Sequence, residues 1–218
     1  MLTLPVGCFR QAWFLMKKSV FDPEYQQQDL SSKIIVGLER VSQAFKVLLW
    51  EKAKQLGLSP IQIQILIFVA YHKSAYTNVS FLAKEFNVTK PTISDAIKVL
   101  EKKGLIIKDT SSSDSRSYSI FLSDQGKNVV AGTEDFAQPL ASQLKHVAAG
   151  EKEALFKTLG NLIYQLNQQG ILTVQRTCFA CTFYTKDGTG HYCRLLERKL
   201  RHTDIRLDCN EFEGKPES

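Results

Sequence analysis

The stretch that decides the fold is VSFLAKEFNVTKPTISDAIKVLEKKGLI, Val79 to Ile106. Phe81, Leu82 and Phe86 put one apolar face on a short helix over Val79 to Phe86. Asn87-Val88 predict a tight turn. Thr89 then stands where a helix wants an N-cap oxygen, and Pro91 falls in the first turn, where a missing N–H costs nothing. From Lys90 to Lys103, Ile93, Ala96, Ile97 and Leu100 recur at spacings of three and four, so they form one inward stripe. Gly104 follows, where a left-handed residue ends a helix. The outer face of this second helix carries Lys90, Thr92, Ser94, Asp95, Lys98 and Lys102. Lysines and hydroxyls suit phosphate oxygens and base edges, and the major groove of B-DNA admits one α-helix.

The flanking sequence completes the pattern. Upstream, Ile34, Leu38, Val41, Phe45, Leu48 and Leu49 stripe a long helix from Lys33 to Leu56, stopped by Gly57. Ser59-Pro60 cap and open a second helix that runs to about His72. Downstream, Leu105–Lys108 and Tyr118–Leu122 predict two strands around a polar, serine-rich tip. Ser123-Asp124 start a helix expected to run to about Ala149, with Pro139 kinking it. Gly150 is expected to separate it from a last helix, Glu151 to Gln169, closed by Gly170. The fold class is therefore mainly α (α+β): a winged helix-turn-helix with long outer helices and a small cysteine-rich C-terminal module.

Residues 33–170 resemble the MarR family of bacterial regulators. The resemblance rests on Val79–Ile106, on Asp114-Ser115-Arg116 between the wing strands, and on Leu122–Lys127 (LSDQGK) after them. It implies a homodimer whose outer helices interleave, two recognition helices on double-stranded DNA, and a small-molecule effector in the cleft between the dimer and DNA-binding parts. It also places Arg116 at the wing tip, steadied by Asp114, and a guanidinium suits a narrow minor groove; the cap residue Thr89 joins the helix residues as a candidate DNA contact. Asp95 departs from relatives that carry a basic residue there. A carboxylate repels phosphate but can accept from a cytosine amino group.

Composition sets the outer limits. The 218 residues are 44% hydrophobic and 23% charged, which excludes wholesale disorder. The net charge of +6 tilts toward an acidic partner. No apolar run reaches the roughly 18–20 residues that span a bilayer, so the expectation is a cytoplasmic protein without a membrane partner. No nucleophile–base pair, phosphate loop or paired carboxylates stand out, so an enzyme is not expected. Residues 1–32 read as an N-terminal arm. For 1–15 two readings stand side by side: a start placed too early, with Met16 the natural one, or an arm that packs on a partner subunit.

The last segment, 171–218, holds four of the five cysteines in the spacing Cys178-x2-Cys181-x11-Cys193-x15-Cys209. A Cys-x2-Cys turn points two sulfurs at one ion, and two more thiolates complete a tetrahedral site. A segment with so little apolar content needs such a staple to fold. Zinc and an iron–sulfur cluster both take four thiolates. His191 and His202 are nearby substitutes; disulfides or free thiols are the plain alternative, and Cys8 stands outside the set. The functional reading is a dimeric, sequence-specific transcriptional regulator with a structural or sensing metal site. The alternatives are a winged-helix protein–protein adaptor with a zinc module and an iron–sulfur redox-sensing regulator.

Overall fold

The computed structural model describes residues 19–109, 118–188 and 190–215. The chain divides into two compact units, the first ending at Leu49 and the second running from Trp50 onward.

The first unit holds helix α1, Pro23–Gln28, and most of α2, Leu30–Leu56. Asp29 joins them: its carboxylate accepts from the backbone N–H of Ser32 at 2.7 Å and from the Ser32 hydroxyl, so α2 starts three residues before the apolar stripe suggests. Gly57 ends α2 at φ 61°. No single helix is long and apolar enough to cross a membrane among the described residues.

In the second unit, α3 (Pro60–Tyr71) is the hub. Ser59 caps it, and the Gln62 side chain returns to the Ser59 N–H at 2.9 Å. Gln62, Ile63, Ile65, Leu66, Phe68 and Val69 are all buried, so the helix is covered on more than one side. Around it lie α4 (Val79–Glu85), α5 (Lys90–Lys102), the hairpin β1 (Ile106–Asp109) and β2 (Ser119–Leu122), and α6 (Asp124–Ala131). The core joins Ile65 and Leu66 to Leu82, to the α5 stripe Ile93, Ala96, Ile97 and Leu100, and to Ile106, Ile120 and Val130. The hairpin is antiparallel, with Ile106 opposite Leu122 and Asp109 opposite Ser119. Its second strand is anchored back to the core by Ile120, whose N–H donates to the Thr77 carbonyl at 3.0 Å.

Two sequence expectations are corrected downstream. Residues 124–149 are not one kinked helix. Helix α6 ends at Gly132, a 3-10 turn covers Glu134–Ala137, and α7 spans Gln138–Leu144. The buried Thr133 hydroxyl donates to the Val130 carbonyl at 2.7 Å, which uses up an end carbonyl of α6. Pro139 starts the next helix instead of bending one, as its missing N–H allows. Gly150 does not separate helices either: it lies in the first turn of α8, Ala149–Gln168, and Glu151 reaches back to the Ala148 N–H.

The C-terminal module is a three-stranded antiparallel sheet in the order β3 (Tyr184–Asp187), β4 (Gly190–Cys193), β5 (Arg198–Leu200). Between Cys193 and Cys209 the chain makes β5 and a 3-10 turn, His202–Asp204. The ring of Phe179 meets Tyr164 of α8 edge-on at 5.9 Å.

Candidate nucleic-acid interface and cysteine centre

Helix α5 presents the face that its sequence predicts. Ile93, Ala96, Ile97 and Leu100 are buried, while Lys90, Thr92, Asp95, Lys98 and Lys102 are exposed and Ser94 is half-buried. Thr89 serves as the cap: its hydroxyl oxygen accepts from the Thr92 N–H at 3.3 Å, and the two threonine hydroxyls lie 2.8 Å apart. Asp95 and Lys98 form an exposed ion pair at 2.9 Å, which lifts the lysine above its ordinary range. Lys103 donates to the Gly57 carbonyl and Lys108 pairs with Glu101. Lys90 and Lys102 have no ion-pair partner among the described residues, which leaves them the freest cations on this face. The wing-tip residues Asp114 and Arg116 lie outside the described residues.

The turn into α5 is tight, with Asn87 at φ 51°. Behind the wing, Gly126 is needed for close approach: a Cβ there would stand 2.0 Å from the Leu105 carbonyl oxygen.

The four tail cysteines line one small cavity of about 30 Å³, together with Tyr184 and Leu200. Cys178–Ala180 form a 3-10 turn, and the Cys181 N–H donates to the Cys178 carbonyl at 3.0 Å. Cys209 opens a similar turn, accepting from the Phe212 N–H at 3.1 Å. The Arg206 N–H donates to the Cys178 sulfur at 3.2 Å, and its guanidinium reaches the Cys209 sulfur at 3.5 Å. Burial pushes the Cys178 thiol up; the Arg206 N–H pulls the other way, and charge on Cys209, Cys181 and Cys193 adds to the rise. Among the described residues, no group of three or more His, Cys, Asp or Glu side chains stands in metal-holding geometry.

The two histidines named from sequence go elsewhere. The His191 and His202 ring nitrogens lie 3.2 Å apart and face a separate open groove of about 670 Å³ against α8. Burial, His202, Lys186 and Lys157 hold the His191 pKa below its ordinary value.

A third constellation was invisible in the sequence. Arg176 is 6% exposed. Its guanidinium donates to both Glu85 oxygens, at 2.6 and 3.1 Å, and to both Asp208 oxygens, at 2.6 and 3.1 Å. His72, stacked on Phe68 and bonded to the Phe68 carbonyl at 2.8 Å, meets Asp208 at 2.9 Å. Burial works against charge on Arg176, but the two carboxylates outweigh it and hold its pKa above that of an ordinary arginine. The members come from four distant segments, and no local periodicity brings them together.

A short brace helix, a tight turn, a capped helix with a polar outer face, and a hairpin define a winged helix-turn-helix protein. The MarR family model matches residues 56–117. The chain is 30% identical over 115 residues to the HTH-type transcriptional repressor YetL of Bacillus subtilis strain 168, covering 51% of this chain and 67% of that one. This chain belongs to the MarR family. The fold is similar to a MarR protein from Peptoclostridium difficile (TM-score 0.55, 22% identity, 62% of this chain and 88% of that one). It is also similar to MepR of S. aureus in a DNA complex (TM-score 0.52, 22% identity, 59% and 94%). The cysteine centre lies outside the segment the family model matches.

Proposed function

We propose that the protein is a sequence-specific transcriptional regulator that binds double-stranded DNA as a homodimer. The observation that carries this reading is the exposed face of α5, capped by Thr89, seated on a packed core and presenting Lys90, Thr92, Asp95, Lys98 and Lys102. The N-terminal half of such a helix reads base edges while lysines hold phosphates. Arg116 would enter the minor groove beside it, with Asp114 as its support. The names of relatives point the same way: one is a transcriptional repressor and one is complexed with DNA. Leu155, Leu162 and Leu166 are exposed on α8, and Leu38, Val41 and Phe45 on α2. Apolar surface of this extent on outer helices is what a dimer would bury. An effector in the cleft of that dimer is part of the same family reading.

The four cysteines would hold one zinc ion as tetrahedral thiolates, a structural or sensing site without redox chemistry of its own. Four cysteines lining one cavity support a single shared site.

The test is in vitro selection of a duplex from random DNA, followed by titration at physiological salt. Lys98→Ala with Arg116→Ala should lose most of the affinity for that duplex; unchanged binding rejects the helix-and-wing assignment. Affinity falling steeply with salt supports DNA binding over an adaptor role. Elemental analysis after purification without oxygen should give about one zinc per chain, and iron with sulfide would replace zinc by a cluster.

A further inference from the structure

Arg176 lies two residues before Cys178, and Asp208 immediately precedes Cys209. The two stretches of chain that carry these thiols are stitched together at the same level. Arg176 and Asp208 form a parallel β-bridge, the Cys209 N–H donates to the Arg176 carbonyl at 3.2 Å, and the Cys178 N–H donates to the Arg206 carbonyl at 3.1 Å. So the ion pair between Arg176 and Asp208 sits on the two stretches of chain that lead into Cys178 and Cys209.

The same stretch is also the dock onto the helix-turn-helix. Arg176 forks onto Glu85, at the end of α4, and its guanidinium lies over the Phe68 and Phe81 rings at 5.2 and 5.9 Å. Asp208 meets His72 at the end of α3. Lys73 pairs with Glu211 at 2.6 Å, and the Tyr76 hydroxyl donates to the Phe212 carbonyl at 3.4 Å. Every one of these contacts from Asp208 onward comes from the five residues that begin just before Cys209. Helix α4 in turn braces α5 through the shared core of Leu82, Ile93 and Ile97.

We propose that the ion held by the four cysteines is itself the regulatory ligand of this protein, acting through Arg176 as a clasp on the helix-turn-helix. The inference rests on the metal reading above. With a thiophilic divalent cation bound, Cys178 and Cys209 are tied to one point, Asp208 stays beside Arg176, and Arg176 holds Glu85 and with it α4. When the ion leaves, Cys178 and Cys209 are no longer tied to one point, the 208–212 stretch keeps only its ion pairs and hydrogen bonds, and Arg176 holds Asp208, Glu85 and α4 less firmly. The binding of ion and DNA is then reciprocal: each raises the affinity for the other by the same factor.

The experiment uses the full chain under reducing conditions, loaded with one equivalent of Zn²⁺ or stripped with a chelator, and followed by amide hydrogen exchange over residues 79–102. Exchange there should be about tenfold faster in the stripped protein, within the usual range of coupling between linked sites. Arg176→Lys, which keeps the charge but loses the fork, should show the fast exchange even when zinc is bound. Glu85→Gln, of the same shape, should do so as well and decides the matter if the lysine variant misfolds. Cobalt in place of zinc reports thiolate binding by its ligand-to-metal absorption. Metal bound by thiolate with unchanged exchange over 79–102 overturns the clasp and leaves the metal reading intact. Absence of any cobalt–thiolate band overturns the metal reading, and the clasp as a regulatory device falls with it.

Discussion

Arg176 grips Glu85 through two guanidinium nitrogens, at 2.6 and 3.1 Å, across 91 positions of chain. The pair ties the start of the cysteine module to the helix that braces α5. A buried ion pair of this kind does not prove stability, but breaking one side leaves charge behind with no partner. Arg176→Leu should therefore cost about 2–3 kcal/mol, less than a fully buried pair because Asp208 remains about half exposed to water. Urea unfolding of the full chain measures it, and a midpoint unchanged from the parent protein would show that the fork is idle.

Gly126→Ala should destabilise the protein by about 1–3 kcal/mol. The added methyl would meet the Leu105 carbonyl oxygen at 2.0 Å, and backbone cannot move aside as a flexible side chain does. The Ser123 N–H also donates to that carbonyl, at 3.1 Å, so the wing must shift with it. Thermal unfolding is the measurement; a melting temperature within error of the parent would mean that α6 relaxes at no cost.

On α5 the lysines should differ. Lys90→Ala and Lys102→Ala each remove a cation without an ion-pair partner among the described residues. Each should weaken binding and lower the salt slope by about 0.9 if it neutralises one phosphate. Asp95→Asn should strengthen non-specific binding if this face meets DNA, because it removes a carboxylate from the exposed side of α5 and frees Lys98. Fluorescence anisotropy against the selected duplex across a salt series separates these cases. Equal slopes for all four proteins would place DNA elsewhere.

Acid should loosen the start of α2. The Ser32 hydroxyl and backbone N–H hold the Asp29 carboxyl below its ordinary pKa. A carboxylate lowered on folding adds stability above its unfolded value, near 4, and loses it as pH falls through the lower folded value. The amide of Ser32 should thus keep its protection down to about pH 4 and lose it below that. Asp29→Asn, which can still cap, should abolish the dependence. Hydrogen exchange against pH reads both, and a pH-independent Ser32 amide in the parent protein would remove the carboxylate from the cap.

Most of the helix-turn-helix was legible in the chain because its signals are local. Ser59, Thr89 and Gly104 act within one helical turn of where they stand, and the stripe from Ile93 to Leu100 needs only the helical period. The same local reading failed over residues 124–149. There it followed an apolar pattern through Gly132-Thr133, where the Thr133 hydroxyl bonded to Val130 ends α6. For Asp114 and Arg116 it stands as an expectation outside the described residues.

The sequence by itself determined which side chains lie close along the chain: a polar face on one helix and four thiols in the last segment. Only the tertiary structure decided which groups meet. It drew the four cysteines to one cavity, turned His191 and His202 toward another groove, and set Arg176 between Glu85 and Asp208. The physical reason is range. Caps, stops and stripes are fixed by neighbours a few residues apart, whereas the buried guanidinium is satisfied by carboxylates 32 and 91 positions away, which only the packed chain brings within hydrogen-bond reach.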